Sequence, residues 1–156
     1  MNIALENFIL YGVSDDWAPV AEFDSTMRRL AGPKHSRGAV VQVIRELADR
    51  GLIEIGAFPG GNRAWELWRV PLDESIYRIQ NGYNGERGYL DIPESEIGSN
   101  EVFRARLTES GQARLATLGD PYETYGDPWF DDPLVKAEGD YRPFRGVEDI
   151  FDDGLG

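Results

Sequence analysis

The stretch SRGAVVQVIRELADRGLIEIG, residues 36–56, decides the fold. Val40, Ile44 and Leu47 recur at i, i+4 and i+7, and Val41 and Ala48 widen the stripe, so residues 36–50 read as a helix with one buried face. Ser36 stands where a hydroxyl can accept a free backbone N–H of the first turn. Gly51 stands where the chain turns left-handed to leave the helix. Leu52-Ile53-Glu54-Ile55 then alternates and stops at Gly56, which is the pattern of a short strand.

Upstream, Ile3, Leu5, Phe8, Ile9 and Val13 give residues 3–13 helical spacing. Ser14-Asp15-Asp16 then reads as a cap for a second helix over 17–30, with Pro19 in its first turn and Gly32-Pro33 ending it. Downstream, Pro59-Gly60-Gly61-Asn62 is a turn and residues 65–70 alternate like a strand. Pro71 opens a short helix carrying Leu72, Ile76 and Ile79, and the Gly-rich stretch 81–100 reads as loop. In residues 102–107, Phe103, Ala105 and Leu107 alternate with Val102, Arg104 and Arg106, the period of a strand with one buried face. Thr108 caps a further helix that reaches Leu118. The expected core is Leu5, Phe8, Ile9, Val20, Val40, Ile44, Leu47, Leu52, Ile53, Phe103, Leu107 and Leu115.

Two phrases in this order, Arg50-Gly51-Leu52-Ile53 and Leu107-Thr108-Glu109-Ser110-Gly111 continuing to Leu115, resemble the winged helix-turn-helix superfamily. The phrase around residues 44–56, with a later Trp and Pro71-Leu72-Asp73-Glu74-Ser75, is also similar to small actinobacterial proteins. The resemblance implies an α+β fold with a winged-helix-like core of three helices and a small antiparallel sheet. It implies that residues 52–57 and 102–107 pair as the wing strands. It also implies a DNA-reading helix, with Lys34, His35, Arg37, Gln42 and Arg45 in the groove. The chain departs from the pattern in one respect: 44 residues, 58–101, stand where a compact winged helix has a short hairpin. An insertion there lies where a duplex backbone would pass. The helix also offers few base-edge donors and carries Glu46 and Asp49.

A chain of 156 residues suffices for one domain with a sizeable core. The expected organisation is a domain over 1–118, with the insertion 58–101, followed by an acidic, aromatic, extended segment over 119–156. Sixteen basic residues against 28 acidic ones give −12, a charge that repels a phosphate backbone and suits a basic partner. Residues 119–156 alone hold 11 acids and three bases. They also hold Tyr122, Tyr125, Trp129, Phe130, Tyr141, Phe144 and Phe151, too many rings for a free acidic tail. The sequence has no Cys, so disulfides, thiolate metal sites and a thiol nucleophile are excluded. With no apolar run of membrane length and no secretory signal pattern, the expected location is the cytoplasm, with no membrane partner.

Enzymatic constellations are weak. His35 is the sole histidine, and Ser14 and Ser36 lack a Ser–His–acid context. Asp15-Asp16 and Asp131-Asp132 read as solvated caps, and no Lys-Ser/Thr follows Gly60-Gly61 as a phosphate loop requires. No catalysis, cofactor or metal is expected. The aromatic residues carry more information. Trp65 and Trp68, three apart on an alternating segment, point to opposite faces, so one can pack while the other meets a partner. The expected contact residues are Trp65, Trp68, Tyr122, Tyr125, Trp129, Phe130, Asp131 and Asp132, offered to a protein with a basic surface. The favoured reading is a non-enzymatic protein-binding module, in concrete form an immunity or antitoxin-like protein. The alternative is a winged-helix transcriptional regulator.

Overall fold

In the computed structural model, residues 1–131 and Phe144 are described, and they form a mixed helical and antiparallel-sheet fold. The expected residues Tyr141, Phe151 and Asp132 lie outside them. Helix α1 (Ile3–Val13) is capped by the Asn2 side chain, which accepts from the Ala4 and Leu5 amides, and it is buried on nearly every side. The chain then runs through β1 (Ala18–Pro19), α2 (Val20–Ala31), a 3₁₀ turn at Gly32–Lys34, α3 (Arg37–Asp49) and β2 (Ile53–Ala57). Ser36 Oγ accepts from the Ala39 amide, and Gly51 adopts φ +73°, so both ends of α3 are built as its sequence requires.

The second helix begins later than expected. Pro19 is not in its first turn but extended at its N-cap, with no side-chain cap, and Ala18–Pro19 pair with a strand instead. The cause is local. Proline forces the residue before it out of the helical region, so Ala18 and Trp17 cannot belong to the helix, whereas an edge strand tolerates the missing N–H. Trp17 is thereby released from α2 for another use.

After β2 come β3 (Glu66–Leu67), α4 (Leu72–Asn81), the hairpin β4 (Gly82–Tyr83) and β5 (Glu86–Arg87), and a 3₁₀ turn at Tyr89–Asp91. The short α5 (Glu94–Ile97), β6 (Arg104–Leu107), α6 (Glu109–Leu118) and α7 (Pro121–Tyr125) complete the described order. The sheet runs β1-β6-β2-β3. β2 and β6 pair antiparallel with Ile53 opposite Leu107 and Gly56 opposite Arg104, the expected pairing across 44 intervening residues. Thr108 Oγ1 accepts from the Gly111 amide to cap α6 and donates to the Gly51 carbonyl at 2.5 Å. Gly111 is required there, because a Cβ would stand 2.0 Å from the Leu52 carbonyl oxygen. The Thr-Glu-Ser-Gly phrase is therefore a packing device that lets α6 cross under β2.

Two expectations fail inside the insertion. Residues 65–70 contribute a two-residue strand at the sheet edge, not a long one. Residues 81–100 are not loop: Asn84 (φ +53°) and Gly85 (φ +84°) make the left-handed pair of a tight hairpin, and Tyr89 behind it is fully buried. Of the expected core residues, all are buried except Leu115, which is partly covered. Residues 121–125 are helical where extended chain was expected, with Asp120 capping and Pro121 opening the turn. Among the described residues, no helix is long and apolar enough to cross a membrane.

Candidate partner-binding face

Helix α3 lies under the insertion. The Arg37 guanidinium donates to the carbonyls of Tyr89 (2.7 Å) and Ile92 (2.6 Å) and sits 5.4 Å from the Tyr89 ring centre. Arg45 pairs with Asp73 on α4 at 2.6 Å. His35 is 92% buried at its side chain, with Nε2 3.5 Å from the Asp24 carboxylate. Its burial pushes the imidazole pKa down despite that negative neighbour. Asp24, also buried, accepts from the Tyr89 hydroxyl at 2.5 Å and from Arg28, which reaches Glu94 at 2.6 Å as well. Lys34 and Gln42 are exposed. Of the five residues expected in a DNA groove, Arg37 and Arg45 are thus bonded to the insertion, and His35 is buried with neither ring nitrogen hydrogen-bonded among the described residues. A hollow of about 350 Å³ beside Asp24, Arg28 and Glu94 is charge-matched, since Arg28 bridges the two carboxylates.

The expected aromatic contact residues separate into three groups. Trp65 stacks on Trp17 at 6.4 Å, donates from its indole to the Arg104 carbonyl at 3.0 Å, and holds Arg106 over its face at 4.4 Å. Phe58 meets Trp17 edge-on at 5.4 Å. Trp68 lies apart from this group, against Tyr83 (5.2 Å) and the Arg78 guanidinium (5.1 Å). The two tryptophans lie in separate clusters. Tyr122 and Tyr125 pack on Phe8 of α1 at 5.5 and 5.8 Å. Beyond them, Arg29 of α2 holds the Pro128 carbonyl and the Asp131 carboxylate, fastening the segment that carries the half-buried Trp129 and the exposed Phe130. Phe130 and Phe8 both contact Phe144.

Between the first and third groups is a cleft of about 360 Å³, lined by Tyr11, Gly12, Asp15, Asp16, Trp17, Pro19, Glu22 and Tyr122. Trp17 links it to Trp65, and Tyr122 links it to the C-terminal segment. Of this lining only Tyr122 was expected as a contact residue; Asp15 and Asp16 were read as caps. The proline two positions after Trp17 was the available signal, because it takes Trp17 out of the helix and places it at the sheet edge. Burial, then the neighbouring Asp15 charge, raises the Glu22 carboxyl pKa. Burial, then a surround of Asp127, Tyr11, Glu22 and Asp120, pushes the Tyr122 phenol up to about 12. Among the described residues, no ion pair reaches Asp15 or Glu22; the nearby Arg104 is held by Glu101 and the Trp17 carbonyl. The cleft is therefore negative and walled by rings, with Asp16 within the influence of Arg104 and with Asp15 and Glu22 in no ion pair among the described residues. Among the described residues no cluster of three or more His, Asp or Glu side chains could hold a metal ion.

Comparison of the chain with protein-family models, with curated proteins and with solved structures returns no match.

Proposed function

We propose that this chain is a non-enzymatic protein-binding module on a winged-helix scaffold, working in the cytoplasm and offering an acidic, aromatic face to a basic partner. Support for the scaffold comes from three helices ending in the Ser36-capped α3, followed by the β2/β6 pair that runs into the Thr108-capped α6. The observation that carries the binding reading is the state of α3. Arg37 and Arg45, the cations a DNA reader would aim at phosphates and bases, are bonded to Tyr89, Ile92 and Asp73 of the insertion. The chain carries a formal charge of −12, and the ring-walled cleft holds Asp15, Asp16 and Glu22. Acidic charge speeds association with a cationic protein, and large rings supply the buried anchors. An immunity or antitoxin-like protein that caps a cationic nuclease or NAD-degrading toxin is the concrete form of this reading.

Anisotropy of a labelled arbitrary duplex, titrated at falling salt, is the test. The expected result is no binding even at the lowest salt. A regulator would instead bind, with affinity falling on a log–log slope of about −0.9 per phosphate contacted. That result would replace the proposal with the DNA-binding one.

A further inference from the structure

The cleft walled by Tyr11, Trp17 and Tyr122 has a shape and charge that select among basic groups. Its walls meet at close range, the Tyr11 and Tyr122 ring centres being 5.3 Å apart. Its floor carries Glu22, whose Oε1 lies so close over α1 that a Cβ on Gly12 would stand 2.6 Å from it. Asp15 and Asp16 stand at its rim. Asp16 already accepts from the Trp17 amide at 2.8 Å, whereas Asp15 and Glu22 have no ion-pair partner among the described residues. A half-buried carboxylate beside a second acid and under aromatic rings is the complement of a cation that must also be flat. A guanidinium meets both demands, because it stacks on ring faces and presents a planar fork of N–H donors to carboxylate oxygens. An ammonium is a strongly hydrated point charge that gains less from such walls.

We propose that this cleft is the receptor for one arginine side chain of the basic partner, with Glu22 and Asp15 accepting from the guanidinium and Trp17 and Tyr122 flanking its plane. The proposal rests on the protein-binding reading above and names the anchor that reading needs. At about 360 Å³ the cleft is at the small end of ligand pockets, suited to a single side chain rather than a cofactor. The Trp17 indole N–H is buried without an acceptor among the described residues, which gives the wall its own resonance to follow.

The test uses the full chain and three blocked tripeptides, Gly-Arg-Gly, Gly-Lys-Gly and Gly-citrulline-Gly, titrated while the indole resonances are followed by NMR. Citrulline keeps the shape of arginine and removes the charge. The expected result is a saturable shift of the Trp17 indole with the arginine peptide, at least tenfold weaker with lysine and absent with citrulline. Glu22→Gln should weaken arginine binding at least tenfold while its melting temperature stays at or above that of the parent. Gly12→Ala should do the same without changing charge, because its Cβ would displace the Glu22 carboxylate from its place over α1. Equal shifts for arginine and citrulline would overturn the proposal, as would full binding by both folded variants. An arginine response that maps to other acidic residues, with Trp17 still, would also overturn it while leaving the protein-binding reading intact; duplex binding in the salt titration would instead remove that reading.

Discussion

Glu6 and Glu22 are helix carboxylates turned toward the protein, and the chain treats them in opposite ways. Glu6, 2% exposed, receives Arg50 (3.0 and 3.2 Å) and Arg114 at its two oxygens. Burial alone would raise its pKa, but the bonds from Arg114 and then Arg50 outweigh that and hold the carboxyl below its usual range. Glu22, half-buried in the cleft, has Asp15 for a neighbour and its pKa is raised. The same contrast divides the whole molecule. Around Glu6, Asp24 and Arg37 each buried charge is answered from another element, so those groups hold the fold. Around Glu22 the charge is unanswered among the described residues, and an uncompensated buried carboxylate is a stability cost that a partner can relieve.

The largest test of this contrast is Glu6→Gln. It removes the charge that Arg50 and Arg114 converge on, and chemical denaturation should show a loss of about 3 kcal/mol, the lower end for breaking a buried pair because both arginines are partly solvated. A loss under about 0.5 kcal/mol would mean that the network is not structural. The pH dependence carries a definite sign. With its folded pKa depressed, Glu6 contributes stability that is present above the unfolded value of 4.5 and disappears as pH falls through the folded value. His35 acts in the same direction at higher pH. Its folded pKa lies below 6.5, so the unfolded chain takes up the proton first and stability declines as pH drops below about 6.5.

Next in size is Tyr89→Phe, which leaves the buried Asp24 carboxylate without its hydroxyl donor. The expected cost is about 2 kcal/mol in a denaturant melt, with arginine-peptide binding unchanged. A shift in peptide binding of tenfold or more would show that the insertion and the cleft are not independent regions. The smallest effect is expected for Glu22→Gln, and it is a gain. A raised carboxyl pKa means that ionisation opposes folding above that pKa, so removing the charge should stabilise the protein slightly at pH 7, by less than about 1 kcal/mol. The advantage should vanish in acid, where the parent glutamate is itself protonated. Destabilisation at pH 7 would place Glu22 with Glu6 among the structural groups.

The helical core was legible because it depends on period and caps. The α3 stripe, Ser36, Gly51 and Thr108 each fix their neighbours within a few residues, whereas the β2/β6 pairing was expected from the resemblance carried by the two phrases at residues 50–53 and 107–115. What was not legible depends on contacts across the chain. Tyr89 lies in a Gly-rich stretch, and the core it joins and the Asp24 carboxylate that takes its hydroxyl, 65 residues earlier, are supplied from elsewhere in the chain. Arg37 and Arg45 looked available to DNA because nothing local reveals that the insertion folds back onto them. The cleft was half visible. Tyr122 stood out among the C-terminal rings, but Trp17 was read into α2 and Glu22 had no local feature to distinguish it. The Asn84-Gly85 turn and the proline after Ala18 were signals present in the sequence, and they account for the hairpin and for the release of Trp17.

The proposed module meets its partner at the acidic cleft and not at α3. The most direct measurement is a pair of amide NMR titrations of the full chain, one with a short DNA duplex and one with an arginine-rich peptide, at low salt. The expected result is shifts from the peptide over Tyr11–Trp17, at Glu22 and at Tyr122, with residues 34–45 still in both titrations. Shifts over residues 34–45 on adding duplex, with the cleft unmoved by peptide, would contradict it.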